Sequence, residues 1–136
     1  MYNGEIISYT IGYSPNIKLV IKMLKQGLSR LSKNSNLIFH SDQGWHYQHT
    51  LYKKPLTDNG IIQSMSRKGN CLDNAVIENF FGLMKSELLY IQKFNSIDEF
   101  KEELIKYMHY YNNKRIKSKL KGLSPVQYRI QSSLSA

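Results

Sequence analysis

Residues 37–44 read Leu-Ile-Phe-His-Ser-Asp-Gln-Gly, a short apolar run that ends in a carboxylate. An unbroken apolar run such as Leu37-Ile38-Phe39 is typical of a buried strand near the centre of a sheet. Asp42 comes just after this run, and open α/β sheets place their functional groups at the carboxyl ends of strands. The stretch therefore predicts an α/β fold with Asp42 at the functional edge of the sheet.

Two further elements are predicted before this strand. Residues 5–13 are rich in β-branched and aromatic side chains, which favour a strand. Ser14 and Pro15 are typical of a helix start, and the helix is expected to run to about residue 33. It has one apolar stripe, formed by Ile17, Ile21, Leu24, Leu28 and Leu31.

The segment after the strand is expected to return to the sheet. Residues 46–59 predict a short helix, which Pro55 disturbs unless it lies near an end. The turn residues 58–60 predict the end of that helix, and residues 61–65 predict a strand. Residues 66–72 are expected to form a mobile loop.

Helices are predicted for most of the remaining chain. Asp73 is the expected N-cap of a helix that runs to about Leu89, with a buried stripe of Ile77, Phe81, Met84 and Leu88. Ser96 and Glu99 form a capping-box pattern that opens the next helix. The expected core positions of that helix are Phe100, Leu104, Tyr107 and Tyr111, and Ser124-Pro125 opens a short last helix.

The charge of the chain is unevenly distributed. The net charge is +9 over 136 residues, and residues 105–136 carry seven basic and no acidic groups. Residues 70–104 instead carry three basic and seven acidic groups. This distribution fits a polyanion partner and a cation site in one chain, although an ordinary solvated basic surface would look the same. The sequence has no apolar run long enough for a membrane span and no signal-peptide pattern. It contains a single cysteine.

Asp42 and Glu78 are the candidate metal ligands. They have 35 residues between them, and Lys85 follows Glu78 by seven positions, nearly two helical turns. Glu78 and Lys85 are therefore expected on one helix face, together with Asn74. Two carboxylates of this kind can hold Mg²⁺ or Mn²⁺, and a third ligand is expected because two dications leave much charge uncompensated. Spacing alone is equally compatible with ordinary surface charges.

The sequences around the two carboxylates resemble a known family. The matching pieces are His-Ser-Asp-Gln-Gly at 40–44, the continuous stretch 64–87, Tyr-Tyr-Asn-Asn-Lys-Arg at 110–115 and Leu-Ser-Pro-Val-Gln-Tyr at 123–128. They are similar to the integrase catalytic core of bacterial insertion-sequence transposases. These enzymes form the aspartate–aspartate–glutamate (DDE) superfamily together with retroviral integrases.

The resemblance implies a fold, an activity and a set of roles. The fold would be ribonuclease H-like, an incomplete mixed sheet flanked by helices with a helical basic C-terminus. A partial catalytic core would cover residues 1–112, and a basic extension residues 113–136. The activity would be metal-dependent DNA strand cleavage and strand transfer with two Mg²⁺ or Mn²⁺ ions, in the bacterial cytoplasm near the nucleoid. By resemblance, Asp42 and Glu78 match the second and third catalytic carboxylates, and the expected DNA contacts are Lys85, Asn74, Gln43, Lys114, Arg115 and Lys117.

The chain departs from the family pattern at the first catalytic aspartate. Glu5 is the sole acidic residue before Asp42, and it lies on the wrong predicted strand. We therefore expect the chain to be inactive alone, although its enzymatic status is open. One alternative is a non-catalytic fragment that binds DNA or assembles with itself or with a full-length transposase, and another is a remnant without a role.

The histidines and aromatics near Asp42 permit other hypotheses. His46 and His49 have no accompanying cysteine pair, so a zinc site is not expected. Trp45 and Tyr47 can either stack on a DNA base or anchor the loop by packing.

Overall fold

The chain folds into two units that we describe separately. The computed structural model describes residues 2–31, 36–67 and 74–135. The sheet unit comprises Ile7–Ala75, and the helical unit comprises Met1–Ile6 together with Val76–Ala136. No helix in the described part of the chain is long and apolar enough to cross a membrane.

The sheet unit is organised by two parallel strands, β1 (Ile38–Ser41) and β2 (Ile62–Met65). Their register pairs Ile38 with Ile62 and Ser41 with Met65. Parallel strands need a crossover connection, and here the crossover consists of two short helices, α2 (Trp45–Gln48) and α3 (Thr50–Asp58). This βαβ arrangement confirms the α/β class.

Helix α1 (Ile17–Leu28) packs beside the crossover and closes the core of the sheet unit. The most buried side chains of this core are Leu24, Tyr52, Leu56 and Ile61. Burial of each such side chain contributes about 1.5–3 kcal/mol. Most of the predicted apolar stripe is confirmed, because Leu24 belongs to this cluster and Ile21, Leu28 and Leu31 pack against it.

The predicted ends of α1 are wrong. Asn16, not Ser14, is the N-cap, and its side chain accepts a 2.9 Å hydrogen bond from the N–H of Leu19. The helix ends at Leu28, well before residue 33, and Ser29 closes it with a hydrogen bond to Lys25. Both Ser and Asn are good caps, so local sequence alone does not choose between two candidates this close together.

The predicted strand at residues 5–13 is also wrong. A strand needs a ladder of backbone–backbone hydrogen bonds, and this segment is instead held by hydrogen bonds between side chains and backbone groups. In the helical unit the N–H and the carbonyl of Ile6 both bond to the side-chain amide of Asn112, at 2.9 and 2.8 Å. In the sheet unit the hydroxyls of Ser8 and Thr10 donate to carbonyls of α1. The sheet of the described residues is consequently a parallel pair rather than a mixed sheet.

Strand β1 is less buried than the sequence predicts. Ile38 is 65% exposed, and in the described residues β1 pairs with β2 alone. A parallel strand that has one neighbour leaves one edge uncovered, so an apolar run does not by itself make a strand central.

The segment between the strands follows the prediction closely. Helix α3 contains Pro55 in its second half, and Asn59 caps its end. Gly60 adopts a left-handed φ of 67°, which a residue without a Cβ adopts at little cost. β2 then begins within one residue of its expected start. The predicted loop at 66–72 and the predicted N-cap Asp73 lie largely outside the described residues.

Helix α4 (Ala75–Met84) belongs to the helical unit from Val76 onward and continues directly into a π turn (Lys85–Leu89). The N–H of Tyr90 closes this turn on the carbonyl of Lys85 at 2.9 Å. The predicted helix end at Leu89 is therefore confirmed, but its last turn is wider than an α-helix. π turns within helices are frequent at functional sites.

The predicted buried stripe of this helix is partly wrong. Ile77 and Phe81 are 49% and 46% exposed, whereas Phe80 is 5% exposed. The Phe80 ring lies edge-on to Tyr111, with ring centroids 5.0 Å apart. Adjacent phenylalanines are 100° apart on a helix, so the choice between them depends on where the aromatic partners lie.

The remaining helices are α5 (Ile97–Asn113) and α6 (Pro125–Leu134), with a 3₁₀ turn at Ser118–Leu120 between them. Leu104, Tyr107 and Tyr111 are buried as predicted for α5, whereas Phe100 is half-buried. Ser96 caps α5 as expected, but Glu99 bonds to the N–H of Asn95 rather than completing the box on Ser96. Ser124 caps α6 in a full capping box. The division at residues 112 and 113 stays a prediction.

Candidate metal centre and nucleic-acid interface

Asp42 lies one residue past the end of β1 and is exposed. Its Oδ1 accepts a 2.8 Å hydrogen bond from the N–H of Gly44, which turns the chain away from the strand. A Cβ at Gly44 would lie 2.9 Å from that same oxygen and 3.2 Å from the Tyr47 ring. A side chain at position 44 would therefore force Asp42 or Tyr47 to move, so glycine suits this close approach.

Ser66, a residue that no motif or period in the sequence singled out, organises the loop around Asp42. Ser66 is 4% exposed and follows β2. Its N–H donates to the carbonyl of Ser41 at 2.8 Å, and its own carbonyl accepts from the side-chain amide of Gln43 at 3.1 Å. Its hydroxyl accepts from the Asn74 side chain at 3.3 Å. Gln43 and Asn74, both predicted to contact DNA, thus bond to one buried serine within the sheet unit.

Glu78 is exposed in the first turn of α4. The partial positive charge of a helix N-terminus favours a carboxylate at this place. The α-helix is regular from Glu78 to Met84, so Lys85 begins the π turn on the same face as Glu78. Lys85 is exposed as well.

The two candidate ligands belong to different units, and we describe each in its own. Both offer exposed carboxylate oxygens, the donor type that Mg²⁺ and Mn²⁺ prefer. Within residues 2–31, 36–67 and 74–135, no three His, Cys, Asp or Glu side chains are grouped closely enough to hold a metal ion. Glu5 accepts hydrogen bonds from the Arg129 guanidinium at 2.7 and 3.2 Å, so this carboxylate is already engaged.

The predicted basic DNA contacts differ in their surroundings. Lys114 is exposed, whereas the Arg115 side chain is 21% exposed and its Nε donates to both carboxylate oxygens of Glu87, at 2.8 and 2.9 Å. Lys117 donates to the Tyr111 hydroxyl at 2.5 Å and lies over that ring. Burial, with the charge of Arg115, lowers the pKa of Lys117. Arg115 and Lys117 therefore face inward and Lys114 outward.

A tyrosine completes the Glu87 site. The Tyr107 hydroxyl donates to Glu87 Oε2 at 2.9 Å. The hydrogen bonds from Arg115, despite partial burial, hold the pKa of Glu87 below its usual value. Burial, together with the Glu87 carboxylate, raises the pKa of Tyr107. The sequence did not predict this cluster of Glu87, Tyr107 and Arg115, because the three residues are too far apart in the chain to form a helical or strand repeat.

The histidines and aromatics near Asp42 are packed against one another. The Nδ1 of His40 lies 3.1 Å from the Ser64 hydroxyl, across β1 and β2. Trp45 is 59% exposed and stacks on His46, with ring centroids 3.8 Å apart. Tyr47 packs edge-on to Tyr52, and burial together with the Asp42 charge raises its pKa. Tyr47 thus anchors the loop, while Trp45 presents much of its ring to solvent.

Comparison with known proteins decides the family. Two models, each described as an integrase core domain, match residues 1–71 and 78–133.

The chain belongs to the integrase core domain family.

Relatives of this integrase core domain carry transposase names. The putative transposase InsK of insertion sequence element IS150 from Escherichia coli is 48% identical over 131 residues, which cover 96% of this chain and 46% of that protein. A transposase-like protein from Haemophilus influenzae is 49% identical over 132 residues, which cover 97% of this chain and 61% of that protein. The chain thus spans roughly half the length of these relatives, and the transposase resemblance seen in the sequence is confirmed.

A solved structure shows the fold of this integrase core domain. The catalytic core domain of BIV integrase superposes with a TM-score of 0.69, covering 98% of this chain and 82% of that one. The sequences are 20% identical, so this likeness concerns the fold alone. It confirms the ribonuclease H-like integrase fold predicted from the sequence.

Proposed function

We propose that this integrase core domain takes part in DNA transposition, as part of the machinery for metal-dependent strand cleavage and strand transfer. The observation that carries the proposal is the placement of Asp42. Its exposed carboxylate lies at the carboxyl end of a parallel strand, where α/β folds gather their functional groups. The residues that flank Asp42 are covered by the integrase core domain model, and named relatives of the chain are transposases.

Asp42 and Glu78 are the proposed ligands of Mg²⁺ or Mn²⁺. Both carboxylates are exposed, and hard divalent cations bind such oxygens while they keep several water molecules. When bound, a pair of these ions supplies charge stabilisation to the attacking and leaving oxygens of a phosphoryl transfer. Gly44 orients Asp42 through the 2.8 Å bond to Oδ1 and leaves the other oxygen available to a cation.

Lys85 and Lys114 are the proposed phosphate contacts. Both are exposed lysines of the helical unit, and the chain carries a net charge of +9. Each lysine that neutralises a phosphate releases a counterion, so binding through them weakens with salt. Gln43 and Asn74 are proposed to act near DNA in a different way, as supports of the Asp42 loop through Ser66.

We further propose that this chain does not cut DNA by itself. Two carboxylates neutralise only half of the positive charge of two divalent cations, so a third carboxylate is needed. Glu5, the sole acidic residue before Asp42, does not supply it, because it is paired with Arg129. A third carboxylate would then come from another chain or from a longer form of this one. The alternative function, a non-catalytic fragment that binds DNA or a transposase, is favoured by seven basic and no acidic groups in residues 105–136.

The test combines metal binding with DNA cleavage. Binding of Mn²⁺ is measured by calorimetry for the wild type and for D42N and E78Q, and we expect each substitution to weaken it at least about tenfold. D58N is the matched control, because Asp58 is an exposed carboxylate paired with Lys54 at 3.3 Å. Equal Mn²⁺ binding by all four proteins would overturn the ligand assignment.

DNA carrying inverted element ends is then incubated with the chain and Mn²⁺. We expect a salt-dependent mobility shift and no strand cleavage. Cleavage that D42N abolishes would contradict the proposed inactivity and support a complete site. Absence of any shift at low salt would contradict the proposed DNA binding.

A further inference from the structure

Glu87 and Arg115 form a bidentate ion pair within the helical unit. The guanidinium Nε donates to both carboxylate oxygens of Glu87 at 2.8 and 2.9 Å, and Nη2 donates to Oε1 as well. The Tyr107 hydroxyl supplies one more hydrogen bond, at 2.9 Å. The two charged side chains are 30% and 21% exposed. Such a fork-to-fork pair fixes orientation as well as distance.

Two exposed lysines, Lys85 and Lys114, lie close in sequence to the two members of this pair. Glu87 and Lys85 are two residues apart in the π turn, which places them on opposite sides of it. Glu87 points toward α5 and Arg115, and Lys85 is exposed. Lys114 precedes Arg115 at the end of α5 and is exposed too. The ion pair thus ties together the two backbone segments that carry Lys85 and Lys114.

We propose that Glu87 and Arg115 are positioning residues that hold Lys85 and Lys114 in the geometry that binds DNA phosphates. This inference rests on the proposed function and revises one part of the sequence prediction. Arg115 acts on DNA through the backbone it fixes and not as a phosphate contact. An acidic residue, Glu87, accordingly promotes binding to a polyanion.

The proposal predicts a change in DNA affinity opposite to the change expected from net charge alone. E87Q removes one negative charge and leaves the Arg115 charge in place. If Arg115 were itself a phosphate contact partly neutralised by Glu87, this substitution would strengthen DNA binding. If the pair positions the lysines, E87Q loosens both segments and weakens DNA binding.

The experiment measures the affinity for a fluorescent DNA duplex by anisotropy at several salt concentrations. We expect E87Q to weaken binding about threefold or more, and R115K, which keeps the charge but loses the fork, to do the same. E103Q is the matched control, because Glu103 pairs with Lys106 on α5 and its loss removes the same charge. We expect E103Q to leave the affinity unchanged or slightly improved.

Reversal of the two charges of the ion pair tests whether DNA binding can be rescued. R115E alone places two carboxylates together and should bind worst, whereas E87R/R115E restores an ion pair with the wild-type net charge and should recover most of the affinity. Tighter binding by E87Q, or an affinity of R115K equal to that of the wild type, would overturn the proposal.

A second measurement separates this proposal from the proposed function. Amide hydrogen exchange of the free protein should rise in E87Q in the segments 85–90 and 114–117 and stay unchanged elsewhere. Unchanged exchange in these segments overturns the positioning role even if DNA binds. Raised exchange together with no DNA binding by the wild type supports the positioning of the two segments and contradicts the DNA function instead.

Discussion

The side-chain amide of Gln43 donates a 3.1 Å hydrogen bond to the backbone carbonyl of Ser66. This contact joins the loop that carries Asp42 to the residue that follows β2. Ser66 also accepts from Asn74 through its hydroxyl, at 3.3 Å. Two motif residues that the sequence assigned to DNA therefore have a structural task in the sheet unit, which is to hold the loop beside the proposed metal ligand.

Substitution of Ser66 by alanine tests this arrangement. S66A removes the buried hydroxyl and leaves the Asn74 amide without that acceptor, so we expect a loss of about 1 kcal/mol in the free energy of unfolding. Urea denaturation measures it. S133A is the control, because the Ser133 hydroxyl bonds within an exposed turn of α6 and its loss should cost close to nothing. An equal loss of stability in S66A and S133A would show that the Ser66 hydroxyl does not stabilise the loop that carries Asp42.

Phe80 and Phe81 provide a matched pair of core and surface residues. Phe80 is 5% exposed against Tyr107 and Tyr111, and Phe81 is 46% exposed. We expect F80A to destabilise the protein by about 3–5 kcal/mol, because it leaves a cavity among the aromatic rings. F81A should cost under about 1.5 kcal/mol. Thermal and urea unfolding measure the two losses of stability. A larger loss for F81A than for F80A would support the buried stripe predicted from the sequence.

Tyr52 makes the stability depend on alkaline pH. Burial, with a smaller effect of Tyr47, raises the pKa of Tyr52 from 10.0 to about 12. The folded state therefore favours the neutral phenol, and this contribution is complete below about pH 10, the pKa in the unfolded chain. It is lost as the pH rises from there through about 12.

Comparison with Y52F isolates this effect. The substitution keeps the ring and removes the titrating group, so the wild type should lose up to about 2 kcal/mol more than Y52F between neutral and strongly alkaline pH. Tyr107 and Tyr111, whose pKa values are also raised, belong to the helical unit and contribute equally to both proteins. Parallel pH profiles for the two proteins would show that Tyr52 ionises without cost in the folded state.

The Glu5–Arg129 ion pair links the start of the chain to α6 in the helical unit. The Glu5 side chain is 9% exposed and that of Arg129 is 53% exposed. Solvent screens the exposed partner, so a double-mutant cycle with E5Q and R129Q should give a coupling energy of only about 0.5–1 kcal/mol. The exposed pair of Lys106 and Glu103 is the reference, with an expected coupling near zero. A larger coupling in the reference pair would contradict this ranking.

Local sequence predicted the elements whose signals are contained in a few neighbouring residues. Ser124 and Gln127 form the capping box of α6, and Gly60 ends α3 with a left-handed φ. The repeat of Leu104, Tyr107 and Tyr111 identified the buried face of α5. Caps, turns and periodic stripes depend on interactions within a helical turn or two, so they can be recognised without the rest of the fold.

The sequence by itself determined the family, the α/β class and the position of Asp42 at the end of β1, because these follow from motifs and short apolar runs. Only the tertiary structure decided that residues 5–13 are held by hydrogen bonds between side chains and backbone groups, that Phe80 is buried instead of Phe81, and that Arg115 is paired with Glu87. Each of these outcomes depends on a partner that is distant in the sequence, as Arg115 is from Glu87. Hydrogen bonds and ring contacts between distant residues leave no period in the chain, so their choice of partner appears only when the backbone is folded.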